Sequence, residues 1–146
     1  MANTIHFELV TLDGTKFGED VYEIVLPTPD GEIAILPNHI PLVSIASPGV
    51  IAVRRRPNDT QSQMALFAVG GGVIEVVEGT VRVLVDAADH AEEINEQEAT
   101  KAYERAQQLV KDAKNQVELG QAQSLMDRHA VRLKVAGLRR HHKRTQ

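Results

Sequence analysis

The 146-residue chain contains no cysteine. That excludes a disulfide framework, thiol catalysis and any cysteine-ligated zinc or iron–sulfur centre, and it fits a reducing compartment. Tryptophan is also missing. Two tyrosines and three phenylalanines make up the aromatic complement, too few for a platform on which sugars or bases stack. No apolar run approaches the ~20 residues that a membrane-spanning helix requires. Residues 1–10 have neither the basic-then-apolar order of a secretory signal nor the Arg-rich amphipathic character of a transit peptide. The expectation is a soluble protein, made where it works, that meets a membrane only through a partner.

Three further absences are local. Proline stops at Pro57, all but two of the ten glycines precede residue 80, and acidic residues stop at Asp127. Residues 1–127 hold 9 Lys/Arg against 20 Asp/Glu, a net of −11, whereas residues 128–146 hold 7 Lys/Arg and no acid, a net of +7. The overall charge of −4 therefore conceals an acidic body and a basic end.

Frequent Pro and Gly signal short strands. Ile5, Phe7 and Leu9 alternate with His6 and Glu8, the period-2 pattern of a half-buried strand. Further strands are predicted over 21–26, 33–35, 42–45, 50–54, 64–69, 73–77 and 81–85, eight in all, separated by turns such as Asp13-Gly14, Asp30-Gly31, Pro48-Gly49, Gly70-Gly71-Gly72 and Glu78-Gly79. Eight short strands without helical period predict an N-terminal β-sandwich or flattened barrel over residues 1–87.

Residues 88–94 read as a linker, and the period then changes. Ala99, Ala102, Tyr103, Ala106, Leu109, Val110, Ala113 and Val117 step by three or four, an amphipathic helix opened by Asn95 and Glu98 at capping-box spacing. A second stripe, Ala122, Leu125, Met126, His129, Leu133 and Ala136, follows a connector at 115–121 that contains Gly120. The prediction is a C-terminal two-helix antiparallel hairpin over 95–138 with a basic tail at 139–146. Its Ala-rich seams bury little area, so it must lean on the sandwich, on itself or on a partner. A connector with one Gly and no Pro also permits one continuous helix, which makes the hairpin a candidate switch.

Catalytic chemistry is not evident. The six histidines form no metal-binding spacing, and His141-His142 reads as solvated tail. Gly70-Gly71-Gly72 lacks the spacing of a phosphate loop and precedes a strand, so it reads as a tight turn or bulge between adjacent strands. Arg54-Arg55-Arg56 reads as a strand edge blunted by charge. His39 reads equally as a loop histidine bonded to local backbone or as an interface contact. The basic end has no aromatic to stack on bases and sits on an acidic body, so an acidic protein surface suits it better than nucleic acid. No catalytic residue, metal site or cofactor is expected.

Three segments, in order, resemble one family. They are DGEIAILPNHIPLVS at 30–44, AVGGGVIEV at 68–76, and VRVLVDAA at 81–88 leading to AEEI at 91–94. Over roughly residues 4–138 the chain resembles the epsilon-subunit family of the bacterial-type F-type ATP synthase. The resemblance implies a β-sandwich followed by two helices, in agreement with the pattern above. It implies a non-catalytic subunit of the central stalk, peripheral on the cytoplasmic face of the bacterial plasma membrane, bound to the gamma subunit and to the ring of c subunits. It implies that the helices move between a hairpin folded on the sandwich and an extended form that meets the alpha and beta subunits of the head and obstructs ATP hydrolysis.

Residue by residue, Asp30, Gly31 and Glu32 match the loop facing the c-ring, and Pro37, His39 and Pro41 match the segment near gamma. Arg128, Arg132, Lys134, Arg139 and Arg140 form the regulatory basic end. Some relatives bind ATP through an Ile-Asp-x-x-Arg-Ala motif and later arginines. Arg105, Arg128 and Arg132 match those arginines, but Asn95 stands where the Asp would be and Glu98 reverses the charge of the Arg. Like-charge repulsion beside a triphosphate argues against ATP binding. A rival reading is a free-standing β-sandwich ligand-binding module with a helical dimerisation hairpin. It would need exposed aromatics, whereas Phe7 falls on a core position and Phe67 inside an apolar run.

Overall fold

The structure, a computed structural model, describes residues 3–144. Its strands are β1 (Ile5–Thr11), β2 (Gly14–Val21), β3 (Glu23–Thr28), β4 (Gly31–Ile35), β5 (Leu42–Ala46), β6 (Gly49–Arg54), β7 (Ala65–Val69), β8 (Gly72–Val77), β9 (Thr80–Val85) and β10 (Ala88–His90). They form two five-stranded sheets, ordered β2-β1-β9-β8-β5 and β10-β7-β6-β3-β4. Strand β1 pairs parallel with β9, and the other pairs are antiparallel. The alternation in β1 does as the sequence suggests: Ile5, Phe7 and Leu9 are buried and the residues between them are not. They meet Ile24, Leu26, Ile51, Val53, Ile74, Val76, Val81 and Val83 from the other strands in one core between the sheets. The β-sandwich expectation is borne out.

Two strands escape the sequence pattern. Strand β2 is mostly exposed, with only Phe17 and Val21 buried, because it is the edge of its sheet and pairs across a bulge at Leu9/Val10. Strand β10 is three residues long and lies in the stretch expected to be linker. Residues 88–94 are instead built into the fold: β10 pairs with β7, a 3₁₀ turn follows at Ala91–Glu93, and Ala91 and Ile94 are buried. Gly70-Gly71-Gly72 is a turn, but it joins β7 in one sheet to β8 in the other and does not connect neighbouring strands.

Strand β7 differs from the rest in being buried on both faces. Ala65, Phe67 and Val69 point into the sandwich, while Leu66 and Ala68 join a second core with Ala91, Ile94, Ala99, Val135 and Ala136. That second core is where the helices dock. Helix α1 (Glu96–Asp112) starts at Asn95, whose Oδ1 accepts the Glu98 N–H at 3.1 Å. Helix α2 (Gln116–Arg144) folds back along α1 and lays its C-terminal half on β7 and β6.

The reversal occurs at residues 113–115, not near Gly120. Asn115 Oδ1 accepts the Glu118 N–H at 2.9 Å, and Glu118 Oε2 accepts the Lys114 N–H at 3.0 Å, so α2 starts at Gln116, within the expected connector, and Gly120 lies inside the helix. Residues 139–146, expected as a tail, continue α2 as far as Arg144; residues 145 and 146 lie outside the described chain.

Candidate functional site

The turn between β3 and β4 presents Asp30, Gly31 and Glu32. Gly31 takes φ 119°, a left-handed value open to glycine, and its carbonyl accepts from Thr28 Oγ1. The turn is the outermost point of the edge strand β4, and all three residues are exposed. Among the described residues neither carboxylate enters an ion pair.

Residues 36–41 carry the chain from β4, at the edge of one sheet, to β5, at the edge of the other. Asn38 holds the bend at φ 66°, a conformation Asn tolerates, and the His39 N–H donates to the Leu36 carbonyl at 3.2 Å. His39 Nδ1 donates to the Ile40 carbonyl at 2.6 Å, which fixes the ring against its own loop. Pro37 and His39 are half-buried, Pro41 is exposed, and Ile40 is 74% exposed.

The next feature was missed in the sequence. Strand β5 turns Val43 (74% exposed) and Ile45 (63%) outward. Registers place Ile45 opposite Val73, Val73 opposite Leu84, and Leu84 opposite Val10. At about 4.8 Å per strand this apolar row spans about 14 Å across four strands. Leu12 stands fully exposed in the β1–β2 turn, beyond Val10. The signal was present: β5, β8 and β9 are apolar at both parities, as strands covered on both sides are, yet among the described residues no element covers this face. The neighbouring row on the same face is charged, Glu75 opposite Arg82 opposite Glu8. Arg82 Nε donates to Glu8 Oε2 at 3.0 Å and holds that carboxyl below its ordinary range. His6 lies 2.8 Å from Asp20 Oδ1 and 3.4 Å from Glu8 Oε1. The hydrogen bond to Asp20 is the main cause that raises its pKa above 6.5.

The basic end of the chain is clamped to the body. Arg132 Nε is buried 3.2 Å from Asp89 Oδ2, a charge contact not aligned as a hydrogen bond. Arg139 donates to the Ala91 carbonyl, and Arg140 Nη1 donates to Glu96 Oε1 at 2.9 Å. Lys134 is exposed and borders a groove with Glu23, Glu32 and Leu138. Arg105, Arg128 and Arg132 each lower the pKa of His129, and Arg132 Nη1 stands 3.4 Å from its Nδ1. Asn95 and Glu98 do not join them. They are engaged in the helix cap, and the ten residues from Asn95 to Arg105 rise about 15 Å along α1.

Of the other sequence candidates, Arg55 pairs with Glu19 at 2.9 Å and lies over the Phe17 ring, and Arg54 donates to the Asp59 carbonyl. The phenylalanines are used internally: Phe7 and Phe17 meet tilted at 5.5 Å, Phe17 and Phe67 edge-on at 5.4 Å, and Phe67 meets His90 at 4.9 Å. Among the described residues no helix is long and apolar enough to cross a membrane.

Known proteins match the chain in both halves. The family described as ATP synthase, Delta/Epsilon chain, beta-sandwich domain, matches residues 4–91, and its long alpha-helix domain matches residues 92–137. The ATP synthase epsilon chain of Herpetosiphon aurantiacus is 33% identical over 136 residues, covering 93% of this chain and 96% of that protein. That of Halalkalibacterium halodurans is 35% identical over 135 residues, 92% of this chain and 98% of that one. A chain in the Euglena gracilis mitochondrial ATP synthase, in a structure of OSCP, F1 and c-ring, shares the fold with TM-score 0.75 at 22% identity, over 93% of this chain and 82% of that chain. One in the Tetrahymena thermophila central stalk and c-ring shares it with TM-score 0.57 at 17% identity, over 90% and 95%. Matched in order through sandwich and helices, and at a third identity along nearly its whole length, the chain belongs to the epsilon-chain family of the F-type ATP synthase.

Proposed function

We propose that the chain is a non-catalytic rotor subunit of a proton-translocating F-type ATP synthase. In this reading the sandwich sits in the central stalk, joins the gamma subunit to the ring of c subunits, and passes rotation between ring and catalytic head. The observation that carries it is the uncovered apolar row Val10–Leu84–Val73–Ile45, with Val43 beside it. A chain with a filled core has no internal use for such a face, and each Å² that a partner removes from water contributes roughly 25 cal/mol. Gamma is the partner assigned to it, with Pro37, His39 and Pro41 at its border. The acidic turn Asp30-Gly31-Glu32, at the outermost point of the other sheet, is assigned to a polar loop of the c-ring. The protein is then peripheral, held through its complex on the cytoplasmic face of a bacterial plasma membrane.

The helices supply regulation. Docked, the basic end is occupied by Asp89, Glu96 and the Ala91 carbonyl. Released, Arg128, Arg132, Lys134, Arg139 and Arg140 become free to meet acidic loops of the alpha and beta subunits and restrain ATP hydrolysis. The test is to remove residues 128–146 and assay hydrolysis by the assembled enzyme. The reading expects hydrolysis to rise; an unchanged rate in every energisation state contradicts it.

A further inference from the structure

His129 lies on α2 where three elements meet. The charges that act on it are Arg128 and Arg132 from α2 itself, Arg105 from α1, and Asp89 on β10 from the sandwich. Arg132 Nη1 stands 3.4 Å from His129 Nδ1. A guanidinium has only donors, so Nδ1 accepts, and the imidazole in this arrangement is neutral with its proton on Nε2. The same Arg132 sends its Nε toward Asp89 at 3.2 Å, buried and imperfectly aligned. Asp89 and the neutral ring are thus the two groups that hold Arg132 in place, in a neighbourhood whose other arginines, Arg105 and Arg128, also act on the ring. Beside it the Arg128 and Arg132 side chains line a narrow crevice with Ala68, Gly70, Ala87 and Asp89, so the cluster sits on the seam between hairpin and sandwich.

We propose that His129 is an acid-sensing latch on the docked hairpin: neutral, it accepts from Arg132 and keeps that arginine on Asp89; protonated, it loses its acceptor, becomes a cation against Arg132, and releases α2 from the sandwich. Electrostatics agree in direction. Burial first, then Arg132, Arg128 and Arg105, push the His129 pKa below 6.5, against a smaller opposing pull from Asp89. A base whose pKa is lowered in the docked state binds fewer protons there than in the released state. Docking is therefore at full strength above about 6.5 and weakens as pH falls through that value toward the lowered one, tenfold for each unit between the two. The latch also gives the released state a trigger other than nucleotide, since Arg132 is committed to Asp89. Its consequence for hydrolysis rests on the rotor reading; the latch itself concerns the isolated chain.

The absence of cysteine makes the test direct. Spin labels on Asn58→Cys, in the sandwich, and Lys143→Cys, near the end of α2, report the docked separation in the full-length protein. Between about pH 7.5 and pH 5.5 the docked population is expected to fall several-fold. His129→Gln, which cannot be protonated, is expected to stay docked across that range, and His129→Lys to be released throughout. His90 and His142 border the far end of the same seam and are intact in these variants, so the comparison isolates His129. Loss of docking at the same pH in wild type and His129→Gln, or no loss in wild type, overturns the proposal. Should His129→Gln fail to dock at any pH, the wild-type imidazole is followed by NMR: its titration must coincide with the change in label separation, and a mismatch overturns the latch. Because no partner is present, these outcomes are independent of whether the protein assembles with gamma.

Discussion

Gly72 and Gly70 bracket the turn that carries the chain from one sheet to the other, and they are constrained differently. A Cβ on Gly72 would lie 1.9 Å from the Leu84 carbonyl oxygen, a backbone atom that its sheet partner cannot withdraw. A Cβ on Gly70 would lie 1.8 Å from Asp86 Oδ1, the end of an exposed side chain that can swing away. Gly72→Ala should therefore cost about 1–3 kcal/mol, as overpacking does, and Gly70→Ala clearly less, both read by urea denaturation. The sequence announced a turn here and excluded a phosphate loop. Which sheet receives the next strand was not legible, because a glycine run specifies local curvature and not the strand that will pair. Two histidines give a second residue-scale prediction. His6, held by Asp20 and Glu8, should titrate above 6.5, and His129, half-buried and acted on by arginines, below it. The His6 contacts stabilise the fold below 6.5 and are lost as pH rises through the raised pKa; the His129 contribution runs the other way. One NMR pH series on the imidazole resonances checks both signs.

At the scale of elements, the helical period revealed both helices, and the Asn95–Glu98 spacing located the first one. The identical spacing at Asn115–Glu118 marks the start of the second, yet Gly120 drew the boundary because glycine is the commoner punctuation. Gly120 and Gly137 have open space where a Cβ would stand, so neither is required by packing. Strand β2 was invisible because an edge strand with two inward residues, Phe17 and Val21, carries no alternation to read. Strand β7 carried the opposite signal: an uninterrupted apolar run means cover on both faces, and α2 supplies the outer cover. That cover rests on few large side chains. Val135→Ala, which removes two carbons from the second core, should cost docking about 2 kcal/mol. Hydrogen exchange is expected to accelerate in α2 while amides of β1, β9 and β8 keep their protection. Equal acceleration in both would mean that the helices and sandwich unfold as one unit.

For the whole molecule, charge and hydrophobicity tell one story. The acidic body and basic end were legible as numbers, and the structure gives them addresses: Arg132 on Asp89 and Arg140 on Glu96. These pairs are partly solvated, so salt within a Debye length of about 10 Å at 0.1 M should loosen the docked arm. The apolar face of the first sheet was less legible. A strand pattern shows which residues could face inward, but only the assembled sheet shows that Ile45, Val73, Leu84 and Val10 line up, the first three exposed and Val10 half-buried. That face is the basis for assigning a partner, and it is also where the account is most exposed to test. The direct measurement is co-purification with gamma after co-expression, for wild type and for Ile45→Asp and Leu84→Asp, whose side chains already face solvent and leave the sandwich core untouched. The account predicts that wild type retains gamma and that each charged variant loses most of it while keeping a wild-type circular dichroism spectrum. Failure of wild type to retain gamma, or full retention by both variants, would contradict it.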